Sequence, residues 1–234
     1  MADESSIGHL PDGKWEFDMS VTRVFDDMIA RSIPQYDALR GLVASLARRF
    51  GADGGTVLDL GCSTGLSIEA LAGKARRVVG VEISESMLDV VRTKFVSYGN
   101  VEIEALDLRH DFPEIDGVDV ALAVFTLQFV PVEYRAGVVR RVFDSLAPGG
   151  AFIVAEKVLG ETATTQAAFV DVYHAFKEEQ GYSREEVDRK ALSLEGRLVS
   201  LTPAGNEGLL RAAGFYRAEC FWRWANFTAW LAIK

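Results

Sequence analysis

Cysteine is scarce in this chain, with only Cys62 and Cys220 among 234 residues. One lies in a glycine-spaced turn and the other in an alternating strand pattern, so a disulfide framework is excluded and a reducing compartment, the cytoplasm, is expected. The three histidines, His9, His110 and His174, share no ligand-like spacing, and no metal site is expected. The chain has no repeat and no low-complexity tract. No window of about 18 uncharged apolar residues offers a membrane span, and the stretch from Met1 to Pro11 lacks the basic flank and apolar centre of a secretory leader. Positive charge is also short: 25 Lys and Arg against 34 Asp and Glu leave a formal charge of −9. Binding to duplex or tRNA rests on many cationic phosphate contacts, so nucleic acid is not an expected partner.

What the chain does have is apolar content, 49% of its residues, enough to bury a core of one domain spanning 1–234. Its periodicity predicts helix from about Ser20 to Phe50 with a break at Pro34, then alternating strands and helices from Val57 to Ala105. A fully apolar strand follows at Val118 to Val124. A helix from Tyr134 to Leu146 is expected to end at Ala147-Pro148-Gly149-Gly150, ahead of a strand from Ala151 to Ala155. Helices at Thr165–Gln180 and Arg184–Leu194 form an insertion within 160–200. A helix at Pro203–Ala213 and an antiparallel pair, Tyr216–Arg223 and Thr228–Ile233, close the chain. This order predicts an α/β fold, a doubly wound sheet with an N-terminal helical lid over 1–50 and the insertion placed above the carboxyl ends of the strands.

Val57-Leu58-Asp59-Leu60-Gly61-Cys62-Ser63-Thr64-Gly65 carries the most chemistry. An apolar strand runs into an acidic turn whose glycines, Gly61 and Gly65, let backbone approach a ligand closely. A dinucleotide loop would show G-x-G-x-x-G and a P-loop a Lys-Ser or Lys-Thr pair; neither is present. Asp59 repels phosphate and suits a ligand with an ammonium and a sulfonium, which points to S-adenosylmethionine (SAM). Cys62 and Ser63 complete the turn, with Cys62 read as a small packed side chain rather than a nucleophile. Glu82 closes a second strand 23 residues after Asp59, where an acid can accept both hydroxyls of a ribose. Asp107 follows a third strand, and an adenine between Ile83 and Leu108 would place its amino group on that acid.

Segments outside the nucleotide site carry a narrower likeness. Trp15-Glu16-Phe17-Asp18, the run from Met28 to Tyr36, Phe125-Thr126-Leu127-Gln128-Phe129, Glu156-Lys157, Phe176-Lys177, Gly181-Tyr182-Ser183 and Ala213-Gly214-Phe215 follow one another in register along nearly the whole chain. In these the sequence resembles the carboxy-SAM synthases, a family within the class I SAM-dependent methyltransferases. The resemblance implies a Rossmann-like fold, SAM as cofactor or substrate, Phe125 in the SAM site and Tyr36 at the amino-acid end of the ligand. It also implies carboxyl transfer from prephenate, for later modification of a tRNA wobble uridine. Two positions depart from the pattern. The family's arginine for the extra carboxylate corresponds to Ala191, and its asparagine before the Phe-Thr-Leu-Gln-Phe segment corresponds to Val124. Arg189, Lys190 and Arg197 are neighbours, but a shift along a helix turns a side chain to another face.

Aromatic residues concentrate in the two lid segments: Trp15, Phe17, Phe25, Tyr36, Phe169, Tyr173, Phe176 and Tyr182. Tyr36 and Tyr173 are the candidate catalytic pair, since aromatic faces attract a sulfonium by about 0.5 to 2 kcal/mol each. Methyl transfer to a small acceptor is the default reaction, because SAM already carries an activated leaving group and orientation supplies most of the acceleration. A second reading needs no acceptor. SAM's own aminobutyryl chain attacks the carbon beside sulfur and expels methylthioadenosine, giving azetidine-2-carboxylate through nitrogen or 1-aminocyclopropane-1-carboxylate through Cα. Carboxy-SAM synthesis is third, opposed by Ala191 and Val124. The expected partners are a small-molecule substrate or none beyond SAM, with no membrane; a homodimer is compatible with all three readings.

Overall fold

A computed structural model describes residues 13–234, so of the segment 1–50 expected to form a lid only Gly13 onward is described, and the leader reading of Met1 to Pro11 and His9 fall outside the described residues. The sheet has seven strands in the order β3-β2-β1-β4-β5-β7-β6. These are β1 (Thr56–Leu60), β2 (Arg77–Glu82), β3 (Val101–Ala105), β4 (Val118–Val124), β5 (Leu146–Lys157), β6 (Arg217–Trp224) and β7 (Phe227–Ile233). The first five run parallel, β7 lies antiparallel to β5, and β6 is antiparallel to β7.

Both faces of the sheet are covered, as the unbroken burial of β1 requires. Successive side chains alternate between faces. Val57, Val120, Leu122 and Ile153 pack on one side with Leu39, Val43 and Ala47 of α2 (Tyr36–Arg49). Leu58, Leu60, Ala121 and Phe152 pack on the other, against Val138, Val139 and Val142 of α5 (Val132–Ser145) and Leu210 of α8 (Pro203–Ala213). A small third cluster joins Trp15, Val21, Phe25 and Met28 to Met87 of α4 (Glu85–Phe95), fastening the lid to the body.

The lid breaks where proline dictates. Asp18 caps α1 (Met19–Ser32) by accepting from the Val21 amide at 3.0 Å. Ile33, ahead of Pro34, leaves the helical region with ψ 118, and Gln35 turns left-handed at φ 54 to start α2 on Tyr36. The insertion forms α6 (Ala163–Glu179) and α7 (Arg184–Leu194), each opened by a reciprocal capping box, at Thr162 and at Ser183. One expectation is corrected. Helix α5 stops at Ser145, and Ala147-Pro148-Gly149-Gly150 belongs to β5 instead of forming a separate turn. Leu146 pairs with Val118 and Ala151 with Val120, so these four residues bulge out of the ladder. The chain end pins the bulge: the Lys234 amide donates to Gly150 O at 3.0 Å and the Gly149 amide to Lys234 O at 3.2 Å.

Candidate active site

The loop after β1 meets Glu82 at the carboxyl end of β2. One carboxylate oxygen of Glu82 accepts from the Ser63 amide at 3.0 Å, and the other from the amides of Ile83 and Ser84 at 2.8 and 2.9 Å. A carboxylate offers about four lone-pair sites, so the loop uses three and leaves the Oε2 side for a ligand hydroxyl. Ser63 itself sits at φ 49, a strained position for a residue with a Cβ, held there by this bond.

Gly61 and Gly65 are required for a reason that the spacing alone did not give. Both have positive φ, +69 and +83, and both point their missing Cβ at protein rather than at the cleft. A Cβ on Gly61 would stand 2.5 Å from Thr126 Cγ2, and one on Gly65 would collide with Phe95. Thr126 in turn donates to Leu60 O at 2.8 Å, locking the end of β4 onto the end of β1. Gly61→Ala therefore combines left-handed strain with overpacking and should destabilise the protein by about 2 to 4 kcal/mol. Urea unfolding with unchanged slope measures it; a loss below about 1 kcal/mol would show that Thr126 can swing aside.

Asp59 is buried, and its Oδ2 has no hydrogen-bond partner among the described residues. Burial, with a smaller contribution from the charge of Glu82, pushes its carboxyl up to about 8. Such a group fits a cationic ligand, which would return it to the charged form. Cys62 is packed beneath the loop and its thiol is held well above the usual range by burial, as expected of a structural cysteine. At the other end of the nucleotide half, Ile83 is 58% exposed while Leu108 is buried. Between them Asp107 is gripped by Arg109, whose Nε lies 2.9 and 2.8 Å from its two oxygens. That bond is the main cause of its lowered pKa. Arg109 is a partner of Asp107 that the motif reading did not supply. Open cavities border the loop on two sides, one lined by Asp26, Thr64 and Asp89 and the other by Arg40, Leu66 and Val124.

The opposite half is built by the lid. Phe125, at the end of β4 with φ 59, packs edge-on against Phe227 at 5.9 Å, and Tyr173 of α6 packs on the same Phe227 at 5.2 Å. The Tyr173 hydroxyl donates to Ser32 O at 3.0 Å, four residues before Tyr36. Tyr36 is buried at the first turn of α2, within electrostatic reach of Asp59. Burial raises the pKa of both phenols, which keeps them protonated. Lys157 closes β5 with its Nζ 4.6 Å from the Tyr173 ring centroid, and burial lowers it to about 8. The other lid aromatics separate by place. Trp15, Phe17 and Phe25 pack among themselves and on Phe129, Phe176 packs on Trp224, and Phe169 lies under Arg223.

Several side chains of this site had no motif to announce them. Asp26 of α1 accepts from Thr64 at 2.6 Å, tying lid to loop, and Ser84 donates to Phe17 O at 2.6 Å. Buried Glu156 accepts from the Leu127 amide at 2.9 Å and fixes the turn after Phe125. Only the Glu156-Lys157 pairing in the resembling segments hinted at it. On α7, Ala191 lies on the exposed face and Lys190 is buried.

Residues 57–150 match a family model described as a methyltransferase domain. The chain is 40% identical to the carboxy-S-adenosyl-L-methionine synthase of Wolinella succinogenes, over 94% of each chain. It is 37% identical to that of Campylobacter concisus, over 94% of this chain and 95% of the relative. Among solved structures, a SAM-dependent methyltransferase from Aquifex aeolicus superposes with a TM-score of 0.61 at 17% identity, covering 93% of this chain and 99% of that one. The seven-stranded sheet with its antiparallel β7, the acids at the ends of β1 and β2, and this likeness along the whole length agree: the chain belongs to the carboxy-S-adenosyl-L-methionine synthase family of the class I SAM-dependent methyltransferases and is a SAM-dependent enzyme.

Proposed function

We propose that this enzyme consumes SAM in a closed chamber and that SAM's own amine is the nucleophile, giving azetidine-2-carboxylate and methylthioadenosine. The observation that supports this reading is the aromatic cluster at the carboxyl end of the sheet, where Phe125 and Tyr173 both pack on Phe227 and Lys157 Nζ lies over the Tyr173 ring. The lid is tied down around it by Tyr173 to Ser32, by Arg31 to Gln180 O at 3.1 Å and by the Trp15 amide to Ser193 O at 2.9 Å. Such a chamber suits a reaction whose nucleophile arrives on the same molecule.

In this reading Glu82 receives a ribose hydroxyl, Ile83, Asp107 and Leu108 take the adenine, and the loop from Asp59 to Gly65 carries the amino-acid side of SAM. Tyr36 and Tyr173 present ring faces to the sulfonium end, while the Tyr173 hydroxyl is held on Ser32 O. The nitrogen forms a bond to the carbon beside sulfur, the carbon–sulfur bond breaks toward sulfur, and neutral methylthioadenosine leaves. The ammonium proton goes to Lys157, which exchanges protons near neutrality. Closure through Cα would need a carbanion with no electron sink, which makes the cyclopropane product the harder one.

A second reading, methyl transfer to a small acceptor, is favoured by the match of the central sheet to a methyltransferase domain. Incubating purified protein with SAM alone and following products by mass spectrometry separates the two. Methylthioadenosine above the uncatalysed rate supports cyclisation. If SAM stays intact until an acceptor is added, and adenosylhomocysteine then forms, methyl transfer stands. Within the cyclisation reading, Tyr173→Phe keeps the ring but removes the hydrogen bond to Ser32 O that ties α6 to α1, so turnover should fall about tenfold or more while SAM affinity changes little. Equal losses in both would assign Tyr173 to binding alone.

A further inference from the structure

Strand β5 outlasts its neighbour. β4 ends at Val124, paired with Ala155, while β5 continues to Lys157. On the edge left open, the Phe125 amide still donates to Ala155 O at 2.7 Å, and the chain then turns away at the positive φ of Phe125. The next amide on that edge is the one of Lys157, since alternate residues of a strand point their backbone groups to the same side. Its acceptor is a side chain: the Lys157 amide donates to Gln128 Oε1 at 2.9 Å. The reverse exchange lies beside it, with the Leu127 amide donating to Glu156 Oε1 at 2.9 Å. Two side chains thus continue a ladder that the backbone of β4 has left.

Gln128 is buried, and its main chain is occupied as well. Its carbonyl oxygen accepts from the Val199 amide at 2.9 Å and from Arg135 Nη2 at 3.2 Å. Arg135, itself buried, also donates to Val130 O and to Val199 O, each at 2.7 Å. Val199 belongs to the return of the insertion, just before Leu201 bridges to Val158. One residue therefore holds the end of β5 through its side chain and the root of the insertion through its backbone. Moving it would leave buried donors without acceptors, which keeps it in one conformation. Lys157 places its Nζ over the Tyr173 ring, and Glu156 points to the opposite face of the strand. Burial lowers the pKa of Lys157 to about 8; the groups that sense its charge are His174 and Lys177 of α6 and Lys190 of α7.

We infer that Gln128 is a positioning residue for the reaction: its side chain fixes the backbone of Lys157 at the unpaired end of β5, and its carbonyl ties that placement to the seating of the insertion at Val199. A proton acceptor on a long flexible stem works only if its backbone is held, because a misplacement of about 1 Å can cost on the order of a hundredfold in rate. Without the Gln128 oxygen the strand end frays, water reaches the ammonium, and the lysine regains its proton at neutral pH. The inference rests on the proposed role of Lys157 as the group that receives the ammonium proton of SAM.

Gln128→Met keeps the reach of the side chain and removes the acceptor, and the shorter Gln128→Asn withdraws the oxygen with less disturbance of the packing. NMR of the lysine ε-carbons in the full chain, with Lys157→Met to identify the signal, follows the titration of Lys157 without reference to catalysis. In both Gln128 variants that titration should move up from about 8 toward the ordinary lysine value. Methylthioadenosine formation from SAM supplies the catalytic readout. At neutral pH kcat should fall about tenfold and its rising limb should move to higher pH, while calorimetric affinity for adenosylhomocysteine stays within about twofold. Glu156→Met opens the reciprocal bond and should displace the titration in the same direction; Glu156→Gln, which keeps an acceptor for the Leu127 amide, should restore it. The inference is overturned if Lys157 titrates as in wild type in both Gln128 variants, whatever happens to their melting temperature, since Gln128 is then structural alone. Should wild-type protein form no methylthioadenosine, the cyclisation reading is what fails, and the NMR titration still decides whether Gln128 places Lys157.

Discussion

Glu82→Ala should weaken binding of adenosylhomocysteine by about 2 to 4 kcal/mol, the value of charged hydrogen bonds lost from one buried carboxylate. In affinity this is roughly thirtyfold to a thousandfold, since each 1.4 kcal/mol is about tenfold. Two effects add. The ribose loses its acceptor, and the amides of Ser63, Ile83 and Ser84 lose the oxygens that set the shape of the loop. Glu82→Gln separates them, because an amide oxygen still accepts from backbone but without charge, and it should fall between wild type and alanine. Calorimetry giving an unchanged affinity for the alanine variant would remove Glu82 from the ribose site.

The second large effect is an absence of turnover. Prephenate added with SAM should yield no enzyme-dependent phenylpyruvate. Holding the extra carboxylate of carboxy-SAM calls for a planar, bidentate guanidinium, whereas α7 turns a point-charge ammonium, Lys190, inward and Ala191 outward. Val124, at the end of β4, offers no amide to replace the missing hydrogen bond. Phenylpyruvate accumulating in proportion to enzyme would overturn this expectation. Its loss in Lys190→Met would then identify the ammonium as having taken over the role of the guanidinium.

The two halves of the cleft were unequally readable. The nucleotide half is written locally: apolar strands end in Asp59 and Glu82, and the spacing of one helix and one strand between them places both acids at one edge of a parallel sheet. Strand alternation and right-handed crossovers leave little freedom there. Even so, the partner of Asp107 escaped the reading, because Arg109 is only two residues away and nothing in a sequence says that it will fold back.

The amino-acid sequence by itself determined the α/β class, the order of the elements, the break at Pro34 and the identity of the nucleotide, since each follows from periodicity, turn chemistry or resemblance within short stretches. Tertiary structure decided the rest. Ala147 to Gly150 became strand because the chain end at Lys234 pairs with it, from 84 positions beyond Gly150. The glycines of the loop proved necessary against Thr126 and Phe95, residues distant in sequence. Nothing in the sequence marked Lys177 or Lys190 as buried. Their burial follows from how α6 and α7 pack on α1 and Trp15, and no short stretch of sequence says which face of a helix will be covered.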